Sequence, residues 1–273
     1  MSGLNTLVKA GGDQLADMDE LDLLLMQELE EEGDAGFDLM ASKLKMMAGG
    51  TLAFDLDGEV IKPPVTGIVL VAQGVRGWFA RKNILSDMPL CSSPDGVRGH
   101  FDYDAPSEVL QAAMNYQSTH PALRVLDDEN RPDAWDCASC PMRQYGSAKD
   151  SDGSACKPRR RMVVLLEGFA TPILLSLPQM SMKAWNRYAS TQKGQRRAYF
   201  GVWTDIGLEE AKSRDGVKYA TATFSFNRIC TPEEKRAVLE VRKQYEELIR
   251  TAGVTRDEYS EAGEVVDGVG TPF

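Results

Sequence analysis

The stretch Cys137–Arg161 reads C-A-S-C-P-M-R-Q-Y-G-S-A-K-D-S-D-G-S-A-C-K-P-R-R-R and runs straight into the apolar M-V-V-L-L of residues 162–166. Cys137 and Cys140 form a CxxC knuckle, and Cys156 follows sixteen residues later. The loop between them is rich in Gly, Ser, Asp and Lys, so it has little apolar surface to hold it in place. A soft divalent metal holds such a loop instead. Zinc takes four thiolate or imidazole ligands, and a CxxC pair with further ligands across a loop is the usual layout. The pattern therefore predicts Zn2+ on Cys137, Cys140 and Cys156 plus a fourth ligand. Cys91, in L-C-S-S-P-D-G, is the first choice because it too sits at a turn rich in Ser, Pro and Gly. His100, His120 and lastly Cys230 are the alternatives. Reduced thiols without a metal, or a CxxC redox pair, are the competing readings.

Charge is spread unevenly around this segment. The 273-residue chain has a formal net charge of -10. Residues 17–38 carry ten acids and no base, and residues 257–273 carry five acids and no base. Residues 137–161 carry six Lys or Arg against two Asp. The middle of the chain is thus much less acidic than the total, and an acidic total argues against polyanion binding only where charge is even. Five cysteines, three of them clustered, suit metal ligation in a reducing, intracellular compartment rather than a disulfide framework. No stretch approaches the roughly 20 apolar residues of a membrane span. The start, M-S-G-L-N-T-L-V-K-A-G-G, lacks the continuous apolar segment of a signal peptide.

Taken in order, residues 1–50 read as an acidic helical appendage. Leu21, Leu24, Leu25 and Leu29 recur at helical spacing within Leu15–Glu32, and Phe37–Met47 adds a second amphipathic piece ended by Gly49-Gly50. Residues 51–256 are expected to form the core, with the metal-binding insertion around 86–161, and residues 257–273 a mobile acidic tail outside it. Residues 51–80 read as β, with a turn at Asp57-Gly58 and a break at Pro63-Pro64. Residues 86–136 are mostly irregular, with a short helix around Val109–Tyr116. A loop of that length needs a reason, and a metal pinned at Cys91 and Cys137 supplies one. After the cysteines come strands at Met162–Leu166 and T-P-I-L-L-S-L-P, then a helix over Met180–Thr191 with Ser181 as N-cap. Strands A-Y-F-G-V-W-T-D-I and K-Y-A-T-A-T-F-S-F follow. Thr231-Pro232-Glu233-Glu234 then opens a helix to about Arg250, with Thr as N-cap and Pro at the first helical position.

These strands, with one helix between two of them, predict a mainly β fold with added helices: an OB-like barrel carrying a zinc-binding loop insertion. Cys91 through Pro178 resembles phage replication proteins that bind single-stranded DNA. The matching features are the C-S-S-P-D-G turn, the C-x-x-C-P-x-x-Q-x-G-S segment with its later C-K-x-R-R, and L-S-L-P followed by M-K-x-W-x-x-Y. The resemblance covers about half the chain. It implies a zinc-held loop inserted into an OB-type barrel, with Cys91, Cys137, Cys140 and Cys156 as the ligands. It also implies a cytoplasmic protein, in the host-cell cytoplasm if phage-encoded. The last residues, Thr271-Pro272-Phe273, resemble the acidic tip ending in Pro-Phe through which many such proteins dock on replication and recombination partners. Asp267, Pro272 and Phe273 would make that contact, although no dense acidic run stands directly before Pro272.

The leading functional expectation is therefore a binding protein for single-stranded DNA, working by phosphate neutralisation and base stacking. The cations are Arg81, Lys82, Lys157, Arg159, Arg160, Arg161, Lys183, Arg187, Arg196 and Arg197. The stacking candidates are Trp78, Tyr145, Trp185, Tyr188, Tyr199 and Trp203, each competing with a place in the core. Three consecutive arginines cannot share one side of a strand, so at least two of Arg159–Arg161 are expected on phosphate. The second reading is a metal-dependent nucleic-acid processing enzyme, with Asp55/Asp57 or Asp102/Asp104 holding Mg2+. No HExxH, GxxxxGK[ST] or GxSxG accompanies them. The third is a zinc regulatory protein whose acidic surfaces mimic DNA.

Overall fold

The structure is a computed structural model, and it describes residues 42–79, 88–116, 119–148, 153–213 and 216–259. The expected helix over Leu15–Glu32, together with Arg81, Lys82, Asp267, Pro272 and Phe273, lies outside these. The described chain is mainly β. Its eleven strands are β1 (Lys43–Met46), β2 (Phe54–Leu56), β3 (Glu59–Ile61), β4 (Val65–Trp78), β5 (Cys91–Ser93), β6 (Arg98–Phe101), β7 (Trp135–Asp136), β8 (Lys157–Leu166), β9 (Ile173–Pro178), β10 (Val202–Lys212) and β11 (Lys218–Ile229). Its three α-helices are α1 (Ser107–Tyr116), α2 (Gln179–Gly194) and α3 (Pro232–Thr251). The described chain divides into two compact units, one holding its residues up to 72 and 161–247, the other those of 73–160 and from 248 on. The expected single core over 51–256 is thus two, and the segment around the cysteines is a unit in its own right.

In the first unit the strands run β3-β2-β1-β9-β8-β4-β10-β11. The sheet is mixed, because β1 pairs antiparallel with β2 and parallel with β9. Asp57 (φ 52°) and Gly58 (φ 95°) make the tight β2–β3 turn expected from D-G. β4 and β8 approach closely enough that a Cβ on Gly67 would stand 2.8 Å from the Leu165 carbonyl oxygen, so that position takes only glycine. One core collects side chains from both ends of the sheet, Leu44 and Phe54 at one and Ala220 and Ala222 at the other, around Val69, Val164 and Leu175. The sheet does not close. Among the described residues β3 pairs only with β2 and β11 only with β10, so no continuous ladder there forms the expected barrel.

Two local expectations are corrected. Lys43–Met46 is a strand, not the end of a helix. Leu44 and Met46 alternate into the core while β2 and β9 saturate the backbone on either side, and this pairing outweighs the helix propensity of K-L-K-M. Ser181 is not an N-cap but lies inside α2, where it is buried and its Oγ accepts a hydrogen bond of 2.9 Å from the Ala222 amide of β11. α3 matches its sequence signals. Thr231 Oγ1 accepts from the Glu234 amide, and the Glu234 carboxylate accepts from the Thr231 amide at 2.6 Å, which is a reciprocal capping box. Glu234 is fully buried and also accepts from Trp203 Nε1 (3.1 Å) and both terminal nitrogens of Arg228 (2.8 and 2.9 Å). Burial pushes its pKa up, but the hydrogen bonds from Arg228, the Thr231 amide and Trp203, together with the Arg228 charge, outweigh this and hold it below the ordinary carboxylate value.

The second unit is built on the end of β4, with β5, β6 and β7 beside it. The indole of Trp78 stacks on His120 at 5.0 Å and 6°, and Phe101 tilts against both. α1 supplies Val109 and Ala113 to this cluster, and the turn Pro121–Arg124 supplies Ala122 and Leu123. His120 caps that turn by accepting from the Ala122 amide on Nδ1 at 3.1 Å. Its burial pushes the imidazole pKa from the ordinary 6.5 down to about 4. The tail does not begin at residue 257. Tyr259 packs over Gly77, where an added Cβ would sit 3.1 Å from its ring, and edge-on against Phe79 at 5.3 Å. Its hydroxyl donates to the Lys157 carbonyl, and its own carbonyl accepts from Arg159. Glu258 is buried and caps Thr255.

Candidate nucleic-acid interface and thiol cluster

The longest cationic run without an acid in the described chain starts in α2. Residues 179–197 hold Lys183, Arg187, Lys193, Arg196 and Arg197 and no Asp or Glu. Ser181, Trp185, Tyr188 and Gln192 recur at helical spacing and are buried, so the opposite residues are pushed outward. Lys183 and Arg187 are four apart, exposed, and stand on one face. Between this face and β10–β11 lies an open groove with a cavity volume of about 830 Å3. Among the described residues Lys183, Arg187 and Arg197 give it positive charge, Glu209 is its one acid, and Tyr188, Tyr219, Phe224 and Phe226 give it aromatic surface. Phe226 is 39% exposed.

The turn that closes α2 shapes one end of this groove. Arg196 has φ 58°, in the left-handed region that favours glycine. Its amide bonds to the Lys193 carbonyl and the Arg197 amide to the Gln192 carbonyl, both at 2.9 Å. Those two bonds define a Schellman turn with arginine where glycine is usual. The turn delivers Arg197 onto β11, where its guanidinium carbon lies 4.1 Å from the centre of the Phe226 ring.

The aromatic expectations divide by burial. Trp185 and Tyr188 are buried in the first unit's core, Trp203 is buried beside Glu234, and Trp78 is buried in the second unit. Their rings pack mainly on protein, and of the four only Tyr188 also lines the groove beside α2. Tyr199 is half-buried, its hydroxyl accepting from Arg242. Tyr145 is 80% exposed and remains a free ring on the cysteine loop. The arginine run also divides. Arg161 is 1% exposed, so it lies inside the fold and not on a binding face. Arg159 donates to the Tyr259 carbonyl at 2.8 Å and lies over that ring at 5.1 Å. Lys157 is exposed and Arg160 half-buried. Phe226 is not among the candidates that the sequence motifs single out. The available signal was the end of K-Y-A-T-A-T-F-S-F, where two aromatics two residues apart continue past the small residues of a half-buried strand.

The four expected ligand cysteines come together in the second unit. Cys91 lies on β5, register-paired with Trp78 and Phe101. The Asp136 carboxylate accepts from the amides of Ala138 (3.2 Å) and Ser139 (3.0 Å), which folds the Cys137–Cys140 knuckle. Cys156 is held by its amide on the Met142 carbonyl at 2.9 Å, and fully buried Met142 anchors the hydrophilic loop from below. All four cysteines line one cavity, together with Arg76, Trp78 and His120. A Cβ on Gly99 would touch two of the thiols, Cys91 at 3.1 Å and Cys137 at 3.4 Å. The cavity volume is about 10 Å3, room for one small occupant. Burial, then the neighbouring cysteines, raises the Cys91 pKa well above the usual thiol value. Burial also raises that of Cys156, to about 12. No group of three or more His, Cys, Asp or Glu among the described residues is arranged to hold a metal ion as it stands. The donor set itself is one that zinc takes, and two groups beside it suit an anionic centre. Arg76 reaches the Cys156 carbonyl at 3.5 Å, and Trp78 Nε1 is buried without a hydrogen-bond acceptor among the described residues. His100 instead lies against the Asp133 carbonyl, and Cys230 is buried in the first unit.

Asp55 and Asp57, one pair raised for Mg2+, are taken up in the β2–β3 turn, where Asp55 accepts from the Gly58 amide and Asp57 from the Lys43 amide. In the other pair Asp102 accepts from the Asp104 amide at 3.1 Å, a local turn contact. No helix among the described residues is long and apolar enough to cross a membrane. Compared with known proteins, the chain matches no protein-family model, no curated protein and no solved structure.

Proposed function

We propose that the protein binds single-stranded DNA in the groove between α2 and β10–β11, without catalysing a reaction on it. The observation that carries this is the joint lining of one 830 Å3 groove by Lys183, Arg187 and Arg197 and by the rings of Tyr219, Phe224 and Phe226. The exposed Lys183 and Arg187 suit a phosphate backbone that runs along the groove, and the aromatic faces beside them accept unstacked bases of any sequence. Such a site is of no use to a duplex, whose bases are already stacked. The first unit is read as an opened OB-like barrel with α2 against its last strand. Its support is the single core shared by both ends of the sheet.

In this reading Zn2+ sits on Cys91, Cys137, Cys140 and Cys156. When bound, it neutralises the thiolates and cross-links β5, the knuckle and the end of the loop. The metal is structural, and its binding energy is folding energy for the second unit. Asp136 orients the knuckle, Arg76 would offset the negative charge, and the buried Trp78 N–H lies in a residue that lines the same cavity. The acidic segments at the two ends of the chain compete with DNA and lower nonspecific binding, and Asp267, Pro272 and Phe273 recruit replication or recombination proteins.

The test is a fluorescence-anisotropy titration of labelled single-stranded and duplex oligonucleotides over a range of salt, with zinc content measured on the same preparation. Tight binding to single strands that weakens linearly in log salt, little binding to duplex, and one zinc per chain are expected. No binding to any single strand at low salt overturns the function. A metal-free protein that binds DNA overturns only the zinc assignment.

A further inference from the structure

Arg197 was assigned above to the cationic lining of the groove, but its geometry is not that of a phosphate ligand. Its guanidinium lies 4.1 Å over the Phe226 ring instead of reaching into solvent. It is held there by the Schellman turn that fixes its backbone on Gln192. Arg197 is half-buried, and its Nε is buried with no hydrogen-bond partner among the described residues. Beside it Gln192 is 2% exposed, lines the same groove, and leaves its Oε1 buried and equally without a partner. A donor and an acceptor left unsatisfied in one groove wall carry a desolvation cost that a ligand with hydrogen-bonding edges relieves.

We propose that Phe226 and Arg197 form a stacking platform for one nucleobase, so that Arg197 acts through its plane and not as a counter-charge to phosphate. This rests on the single-strand reading above. A guanidinium over an aromatic ring is planar and weakly hydrated, and stacks on bases as it does on Phe. Fixing it on Phe226 before the strand arrives removes ordering cost from binding. Every base also carries a ring N–H or an exocyclic amino group on its Watson–Crick edge. Gln192 Oε1 therefore gains a donor from any base that enters, and the subsite tolerates all sequences. Lys183 and Arg187, exposed on α2, remain the phosphate contacts.

The experiment compares the full-length protein with Arg197→Lys and Phe226→Leu, on oligothymidylate and on an oligomer of the same length made of abasic deoxyribose phosphates. Arg197→Lys keeps the charge and loses the plane. The expected result is an affinity for oligothymidylate lower by about 5- to 150-fold in both variants, the range for one stacked base. Salt slope and melting temperature stay unchanged, and so does the weak binding to the abasic oligomer. Arg197→Lys binding oligothymidylate like the wild type overturns the platform and leaves the single-strand reading standing. So does a loss of the same factor on both oligomers. A wild-type protein that binds neither oligomer overturns the reading and the platform together.

Discussion

Arg196→Gly should make the protein more stable and a poorer DNA binder at once. Arg196 closes α2 with φ 58°, a conformation that costs an L-residue about 1–2 kcal/mol and glycine almost nothing. Against that gain stands the extra freedom of glycine in the unfolded chain, about 0.4–1 kcal/mol. The side chain is exposed, and the hydrogen bonds of the turn are made by backbone atoms, so nothing else in the fold is lost. The net gain is about 0.5–1 kcal/mol, or a rise of about 1–4 °C in melting temperature for a chain of this size. Strain kept where glycine would relieve it points to a side chain retained for its function. Arg196 is exposed at the end of α2, outside the groove lining, and in the proposed mode it adds a flanking phosphate contact to those of Lys183 and Arg187. The variant should therefore bind single strands more weakly, with the slope of log affinity against log salt reduced by about 0.7. Thermal denaturation and salt-dependent anisotropy on the same preparation read both effects. A fall in melting temperature would refute the strain argument. A rise with unchanged affinity and slope would refute the claim that the strain is kept for binding.

Truncation after Tyr259 should leave the melting temperature nearly unchanged, whereas truncation after Arg256 should cost about 1–2 kcal/mol by removing the ring over Gly77 and the carbonyl partner of Arg159; equal melting temperatures would contradict the docking of Tyr259. His120 is buried and neutral, with its pKa lowered from 6.5 to about 4. The unfolded chain therefore binds more protons between those values, and stability should fall by roughly 3 kcal/mol as pH drops from 6.5 through 4. His120→Gln should flatten that part of the profile, and an unchanged acid limb would contradict it. Glu234→Ala should cost about 3 kcal/mol by urea denaturation, because it strips four hydrogen bonds and leaves the Trp203 N–H buried without an acceptor; a loss under 1 kcal/mol would contradict the assignment.

What could be read from the sequence was what local chemistry decides. α3 was legible because Thr231, Pro232 and Glu234 spell out its start, and the β2–β3 hairpin because Asp57-Gly58 takes positive φ at low cost. That Cys91 lines one cavity with Cys137, Cys140 and Cys156 agrees with the turn composition and the resemblance that singled it out, while its role as a ligand belongs to the proposal. Partnerships across the chain were not. Lys43–Met46 is a strand only because β9, some 130 residues later, offers it a parallel edge. Ser181 looked like a cap because nothing local shows that the Ala222 amide claims its hydroxyl. Burial of ambivalent residues was equally hidden. Trp185 and Tyr188 share a helix face with Ser181 and Gln192, and that face turns inward, while Arg161 carries no sequence mark that separates it from Arg159. The groove escaped notice for the same reason. Phe226 became a candidate once Arg197 was seen lying over it.

The placement of the DNA on α2 is tested most directly by the salt slope of Lys183→Ala/Arg187→Ala. Both side chains are exposed, so the double variant should melt like the wild type. With two phosphate contacts gone, the slope of log affinity against log salt on single strands should fall by about 1.4. An unchanged slope in a folded double variant would contradict the account, because the strand would then lie elsewhere.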